Sequence, residues 1–382
     1  MDNLRVLIFS ASFGAGHVRA AEAVIEALRQ QVPGAAVTHL DCGELLGPTF
    51  NTVVKKVYIE TIKHTPRLWG EFYYRTSRIR PDSLLQRFLN NWGRRQFLAY
   101  IEETSPDLIV CTYPTVAGVL ARLRRLGQLH VPLVTIVTDY TVHSQWIHRG
   151  TDLYLVGCEE VARGLVARGI DPSTIRATGI PVSPRFEQPV EHAAVLQRLG
   201  LQEGTPVLLV MGGAYGVLQD IRRLIWRFAN GDFPLQVIVV CGRDRRLYDS
   251  LDFSASPPRN RVVRLGFVDY VHELMSVSDL MVTKAGGLIV SEALTKRLPM
   301  IIFRPIPGQE EMNAAFVERA GAGRTVHGLG ELVDTVYELL RSPRQLEAMR
   351  EGAARAVPRE AAANAVRAML ELLSPSRQRR SG

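Results

Sequence analysis

Residues 4–32 read LRVLIFSASFGAGHVRAAEAVIEALRQQV. A near-continuous apolar run, Leu4–Ser10, opens the segment, and a glycine-bearing loop follows it. From Arg19 onward apolar residues recur at helical spacing, which predicts strand, loop and helix in that order. A run of Val, Ile and Leu without alternation predicts a strand buried on both faces, hence a parallel sheet. Working outward, AVTHLD, DLIVCTY, PLVTIVTD and LYLVG repeat the strand signal, with helical stretches such as VARGLVARG between or after them. GIPVSPRFEQPVEH (179–192) carries three prolines and predicts a linker or domain edge. Beyond it the pattern starts again with PVLLVMGG, LQVIVVCG, RVVRLGF, LMVTK and MIIFRP.

The reading is α/β, with two doubly wound parallel-sheet domains over 1–180 and 181–355. A final helix over 356–373 is expected to pack back on the N-terminal domain, and 374–382 is expected to be a disordered tail. Ligands of doubly wound folds bind at the carboxyl ends of strands. With two such domains, the expected site is the cleft between them.

The chain has 382 residues, 46% hydrophobic and 22% charged, which excludes collagen-like, coiled-coil and largely disordered classes. Cys42, Cys111, Cys158 and Cys241 form no CxxC pair and read as reduced core thiols, which implies a cytoplasmic setting. No secretory signal and no apolar run of ~20 residues is expected. The net charge is +8, and residues 48–98 hold ten Lys or Arg against three acids, so +7 of the excess sits there. The same stretch holds nine of the 28 aromatic residues, among them Trp69, Tyr73 and Trp92, beside Lys55, Lys56, Arg94 and Arg95. Cations interleaved with Trp and Tyr suit an anionic membrane surface. On composition alone, nucleic acid and a solvated helix face over an aromatic core stay open as readings.

Three loops carry the chemistry. In FSASFGAGH, Gly14 and Gly16 let backbone approach a ligand, and His17 begins the helix, where its N-terminus favours a neutral imidazole suited to general-base work. A histidine that only holds the loop is the alternative. In VLLVMGGAYGV, Gly212, Gly213 and Gly216 form a turn whose amides could bind a diphosphate, or merely a tight βα turn. In LMVTKAGGLIVSEALTKRLPMIIFRPIPGQEEMNAAF, Gly286 and Gly287 begin a helix, and Glu292 lies about one and a half turns in, placed to accept ribose hydroxyls. GQEEMN (Gly308–Asn313) places an amide, Gln309, and two carboxylates, Glu310 and Glu311, just after a strand, a suitable clamp for sugar hydroxyls or simply a helix cap. No D-x-D, HExxH, Walker A or G-x-S-x-G is present.

Nine ordered segments resemble one known group: FGAGH, YPTVAG, VTDYTVHSQWIH, TGIPVSPRF, MGGAYGVL, VVCGRD, LGFVDYVHELM, VTKAGGLIVSEAL and PIPGQEEMN. Together they resemble the glycosyltransferase family 28 group of processive diacylglycerol β-glucosyltransferase and monogalactosyldiacylglycerol synthase. The lipid-linked N-acetylglucosaminyltransferase of peptidoglycan synthesis is a more distant relative. The resemblance implies a GT-B fold, a UDP-sugar donor with glucose favoured over galactose, inversion at C1, and neither metal nor other cofactor. It implies His17 as base or acceptor-site residue, and Ser183 with Gly212, Gly213 and Gly216 at the diphosphate. The backbone at Phe267 and Val268 would meet uracil, and Lys284, Gly286 and Gly287 would complete the donor site. Glu292 would hold ribose, and Gln309 with Glu310 the sugar. Gly14, Gly16, Asp139 and His143 would face the acceptor. Segment 48–98 falls where this family docks on the membrane, so the implied setting is peripheral, on the inner face of the cell membrane, with diacylglycerol or glycosyl-diacylglycerol as acceptor and no nucleic acid. Ala285 departs from the group, replacing a proline common before the glycine pair.

Rivals predict other features. A nicotinamide-dependent dehydrogenase needs a complete glycine fingerprint, and here Arg19 stands at its third position. A non-catalytic UDP-sugar regulator could lose His17. A transferase for another lipid is a further reading, and a soluble transferase for a small acceptor would not need the basic aromatic segment.

Overall fold

A computed structural model describes residues 3–12, 15–45, 70–71, 74–76, 93–212, 220–254 and 256–374. The described chain forms two units. The first comprises Met1–Pro184, Ile306–Gln309 and Pro358–Gly382; the second comprises Arg185–Pro305 and Glu310–Val357.

The first unit is built on a six-stranded sheet of order β2-β1-β3-β4-β5-β6, every pair parallel. Its strands are β1 (Arg5–Ser10), β2 (Ala36–Asp41), β3 (Leu108–Cys111), β4 (Leu133–Ile136), β5 (Leu153–Val156) and β6 (Ile175–Ala177). β3, β4 and β5 are buried at every position, as continuous apolar runs require. Its helices are α1 (Ala15–Gln31), α2 (Cys42–Leu45), α3 (Arg94–Thr104), α4 (Pro114–Arg125), α5 (Glu159–Val166) and, from the far end of the chain, α14 (Ala361–Leu373). Ala362, Ala365, Val366 and Met369 of α14 join Ala21, Val24, Ala27 and Leu28 of α1 over Val6, Ile8, Val134 and Leu153 in one core. Alanines on both helices let them close on each other and on the sheet.

The second unit repeats the plan with β7 (Val207–Met211), β8 (Gln236–Val240), β9 (Val262–Leu265), β10 (Leu280–Thr283), β11 (Met300–Phe303) and β12 (Gly323–Val326), ordered β12-β11-β10-β7-β8-β9 and all parallel. Its helices are α6 (His192–Leu199), α7 (Ile221–Ala229), α8 (Arg245–Ser250), α9 (Val271–Ser276), α10 (Gly287–Thr295), α11 (Gln309–Arg319), α12 (Leu329–Leu340) and α13 (Pro343–Ala356). On one face Leu208, Val210, Val237, Val239, Leu280 and Val282 bury against Leu224, Ile225 and Phe228 of α7 and Leu332 and Val336 of α12.

Both sheets are therefore doubly wound. The strand order reverses between β1 and β3 in the first and between β7 and β10 in the second. At these switch points the following loops diverge to opposite faces, and a crevice opens at the carboxyl ends. Two strands escape the sequence reading, β6 and β12, both at sheet edges. The calls on Gly14, Lys55, Lys56, Trp69, Tyr73, Trp92, Gly213, Gly216 and the tail 375–382 lie outside the described residues. Among the described residues no helix is long and apolar enough to cross a membrane.

Candidate active site

In the first unit the loop after β1 feeds α1, so Gly16 and His17 stand in its first turn, beside the switch point. His17 Nδ1 lies 2.6 Å from the Thr112 carbonyl oxygen and 3.0 Å from Thr138 Oγ1. A carbonyl can only accept, so Nδ1 carries the proton and neutral Nε2 keeps its lone pair. The Thr112 hydroxyl donates back to the His17 carbonyl at 2.9 Å, so one threonine brackets both ends of the residue. Tyr113 meets the ring edge-on at 5.2 Å, and Trp146 stands 6.2 Å away. These neighbours strip water from the imidazole and push its pKa down to about 4, against the opposing pull of the Thr112 bond. Burial, rather than the helix terminus invoked from sequence, is thus the main reason His17 is neutral.

Asp139 and His143 follow β4 and are buried. Asp139 Oδ1 accepts from Gln309 Nε2, and Gln309 belongs to the first unit with the short segment that precedes it. His143 caps a 3₁₀ turn, accepting from the Gln145 amide at 3.2 Å, with Nε2 3.3 Å from Thr76 Oγ1. Ser183 donates to Glu26 of α1 at 2.7 Å. Arg94 and Arg95 open α3, half-buried and exposed respectively.

The buried imidazole of His148 lies 3.1 Å from the Pro114 carbonyl, which fixes its proton on Nε2. Burial lowers its pKa to about 4. On acidification the unfolded chain, with an ordinary imidazole, takes up the proton first. Stability is therefore complete above about pH 6.5 and drains as pH falls toward about 4, by up to ~1.4 kcal/mol per pH unit for this residue. Urea unfolding across that window should show a shallower slope for His148→Gln than for the parent protein. Equal slopes would mean that His148 keeps an ordinary pKa when folded.

In the second unit the sequence-derived residues gather at the carboxyl ends of the strands. Gly212 follows β7, Phe267 and Val268 follow β9, Lys284 follows β10, and Gly286 and Gly287 open α10, which carries Glu292. Glu310 stands in the first turn of α11, just beyond β11. The Phe267 ring is 58% exposed, with the Arg243 guanidinium 5.3 Å from its centroid. Desolvation lowers the Lys284 pKa, the Glu310 carboxylate opposes this, and Arg304 adds to it. The amides at the α10 N-terminus and the Lys284 ammonium together make an anion-favouring corner. Asn313 is fully buried and donates from Nδ2 to the Ala285 carbonyl at 2.9 Å, fixing the turn that presents Gly286. Sequence reading missed Thr112, Thr138, Arg304 and Asn313.

Two doubly wound parallel sheets, each with a helix N-terminus at its switch point, define a protein of the two-Rossmann class. Residues 17–182 match the family described as Monogalactosyldiacylglycerol (MGDG) synthase, and residues 207–366 match the Glycosyltransferase family 28 C-terminal domain. The processive diacylglycerol beta-glucosyltransferase of Staphylococcus haemolyticus is 32% identical over 91% of this chain and 88% of its own. The enzyme of the same name from Bacillus subtilis is 31% identical over 91% of this chain and 90% of its own. Among solved structures, MurG of Acinetobacter baumannii shares the fold, with a TM-score of 0.63 at 16% identity over 97% of this chain and 99% of its own. The chain is a glycosyltransferase and belongs to the family of the processive diacylglycerol beta-glucosyltransferases.

Proposed function

We propose that the protein moves glucose from UDP-glucose to diacylglycerol, with inversion at the sugar's C1 and without a metal ion, while resting on the inner face of the cell membrane. The observation that carries this reading is identity of 31–32% along nine-tenths of the chain to enzymes named for that transfer. The acceptor hydroxyl must lose a proton, and His17 Nε2 takes it. Charge builds on the departing UDP. Lys284, the amides opening α10 and the glycines Gly212, Gly213 and Gly216 stabilise it, an electrostatic contribution that is usually the largest in such transfers. Glu292 accepts the ribose hydroxyls, and Gln309 with Glu310 engages the hexose. For Gln309 to do so, its amide must exchange Asp139 for sugar. Ser183 likewise must exchange Glu26 for phosphate to take a place at the donor. The backbone at Phe267 and Val268 meets uracil. Gly16, Asp139 and His143 face the acceptor, and the basic aromatic segment 48–98 contacts lipid phosphates. If the product's sugar re-enters the site, a second transfer follows.

The test is incubation with UDP-glucose, UDP-galactose or UDP-N-acetylglucosamine and diacylglycerol vesicles containing anionic lipid, resolved by thin-layer chromatography. Glucosyl-diacylglycerol from the first donor is the expected product, with the protein sedimenting with the vesicles. Transfer only to a water-soluble acceptor would overturn the lipid assignment, and product from UDP-galactose alone would overturn the choice of sugar.

A further inference from the structure

Arg304 directly follows β11, at the carboxyl end of the second sheet, with φ at 49°. That is left-handed backbone, costly for a residue with a Cβ, and such strain collects where function needs a fixed geometry. The residue is anchored on four sides. Its amide donates to the Val326 carbonyl at 3.0 Å, and its Nε donates to the His327 carbonyl at 2.8 Å. Its Nη1 donates to Asp220 Oδ2 at 2.9 Å, and its guanidinium lies 4.7 Å from the centroid of the Phe303 ring. Asp220 is itself left-handed, with φ at 58°. Two strained residues are thus tied to each other by an ion pair. The turn presents the Arg304 carbonyl, which accepts from Lys284 Nζ at 3.3 Å.

We propose that Arg304 is a positioning residue for Lys284. Its guanidinium holds the strained turn, and the turn aims its carbonyl so that the Lys284 ammonium stands at the end of β10, next to the first turn of α10. A guanidinium suits this task because its planar fork serves two acceptors at once, which a lysine in its place could not. The functional consequence rests on the reading above, in which Lys284 neutralises the diphosphate of the donor.

Two measurements test it. The chain has only five lysines, so the 13Cε resonance of Lys284 is readily assigned through Lys284→Ala. In Arg304→Ala that resonance should move to the position of the exposed lysines. UDP affinity by titration calorimetry then closes a mutant cycle. Lys284→Ala and Arg304→Ala should each weaken UDP about tenfold, and the double variant should be no weaker than Lys284→Ala alone, as expected when one residue acts through the other. An unmoved Lys284 resonance overturns the positioning role whatever UDP does, and so do losses that add in the double variant. A resonance that moves while Lys284→Ala leaves UDP affinity unchanged supports the positioning role and overturns the diphosphate reading of Lys284. Should Arg304→Ala fail to fold, Asp220→Asn, which removes only the anion from the bracket, goes through the same measurements.

Discussion

Replacing His17 with alanine is expected to lower turnover by roughly 10²–10⁴ while leaving UDP affinity within about twofold. The geometry sets both halves of that expectation. His17 is tied to Thr112 and Thr138 of the first unit, so its loss leaves the donor-type residues of the second unit intact. A base with a pKa of about 4 pulls weakly on an alcohol. The acceptor oxygen, however, turns strongly acidic as its bond to C1 forms, so a weak base suffices if the proton leaves late. The neutral form prevails at every pH above about 5, so kcat/KM should be flat there and fall only as pH approaches 4. Steady-state rates with UDP-glucose and diacylglycerol vesicles, alongside calorimetry with UDP, check this. Equal losses in turnover and UDP binding would make His17 a structural residue, and an acid limb near 6.5 would mean that burial does not depress it.

Gly286→Val should behave in the opposite way, cutting UDP affinity by roughly 10–10² fold, about 1.4–2.8 kcal/mol, while leaving thermal stability almost unchanged. Gly286 has φ −66° and ψ 141°, a conformation open to any residue. A Cβ added there would meet only Ile289 Cγ2, at an ordinary 3.6 Å. The fold therefore gives no reason for glycine at this position, whereas close approach of a ligand to the amides of α10 does. Gly179 is the contrast, with φ at 88° and an added Cβ 2.7 Å from that of Ala361, so there the fold itself requires glycine. Calorimetry with UDP and a melting curve on the same Gly286→Val preparation separate the two effects. Parent-like affinity would remove Gly286 from the donor site, and a large drop in melting temperature would show a packing role instead.

What the sequence makes legible follows from what periodicity and loop chemistry can carry. Ten of the twelve strands are legible, and the eight inside the sheets stand out as runs of Val, Ile and Leu, because a strand covered on both faces can admit little else. β6 (Ile175–Ala177) and β12 (Gly323–Val326) do not, because an edge strand needs fewer apolar residues. β6 contains Arg176, and β12 contains Arg324 and Thr325. His17 and Gly286 are visible because each follows a strand run and opens a helix. Thr112 is invisible as a partner of His17. Its carbonyl comes from the next strand over, 95 residues away, and any residue type could supply it. Arg304 and Asn313 are hidden for a related reason: each acts on a backbone carbonyl or a strained turn, and neither leaves a mark in local spacing.

The course of the chain bears on how relatives can be recombined. The first unit is completed by Pro358–Gly382, whose Val366 and Met369 are wholly buried over strands laid down more than 200 residues earlier. A chimera joined once, near Pro184, would pair the first sheet with a foreign closing helix and mismatch that alanine-lined seam. Exchange of donor preference between family members therefore calls for two junctions, one near Pro184 and one near Pro358, so that the last helix travels with the N-terminal half it covers.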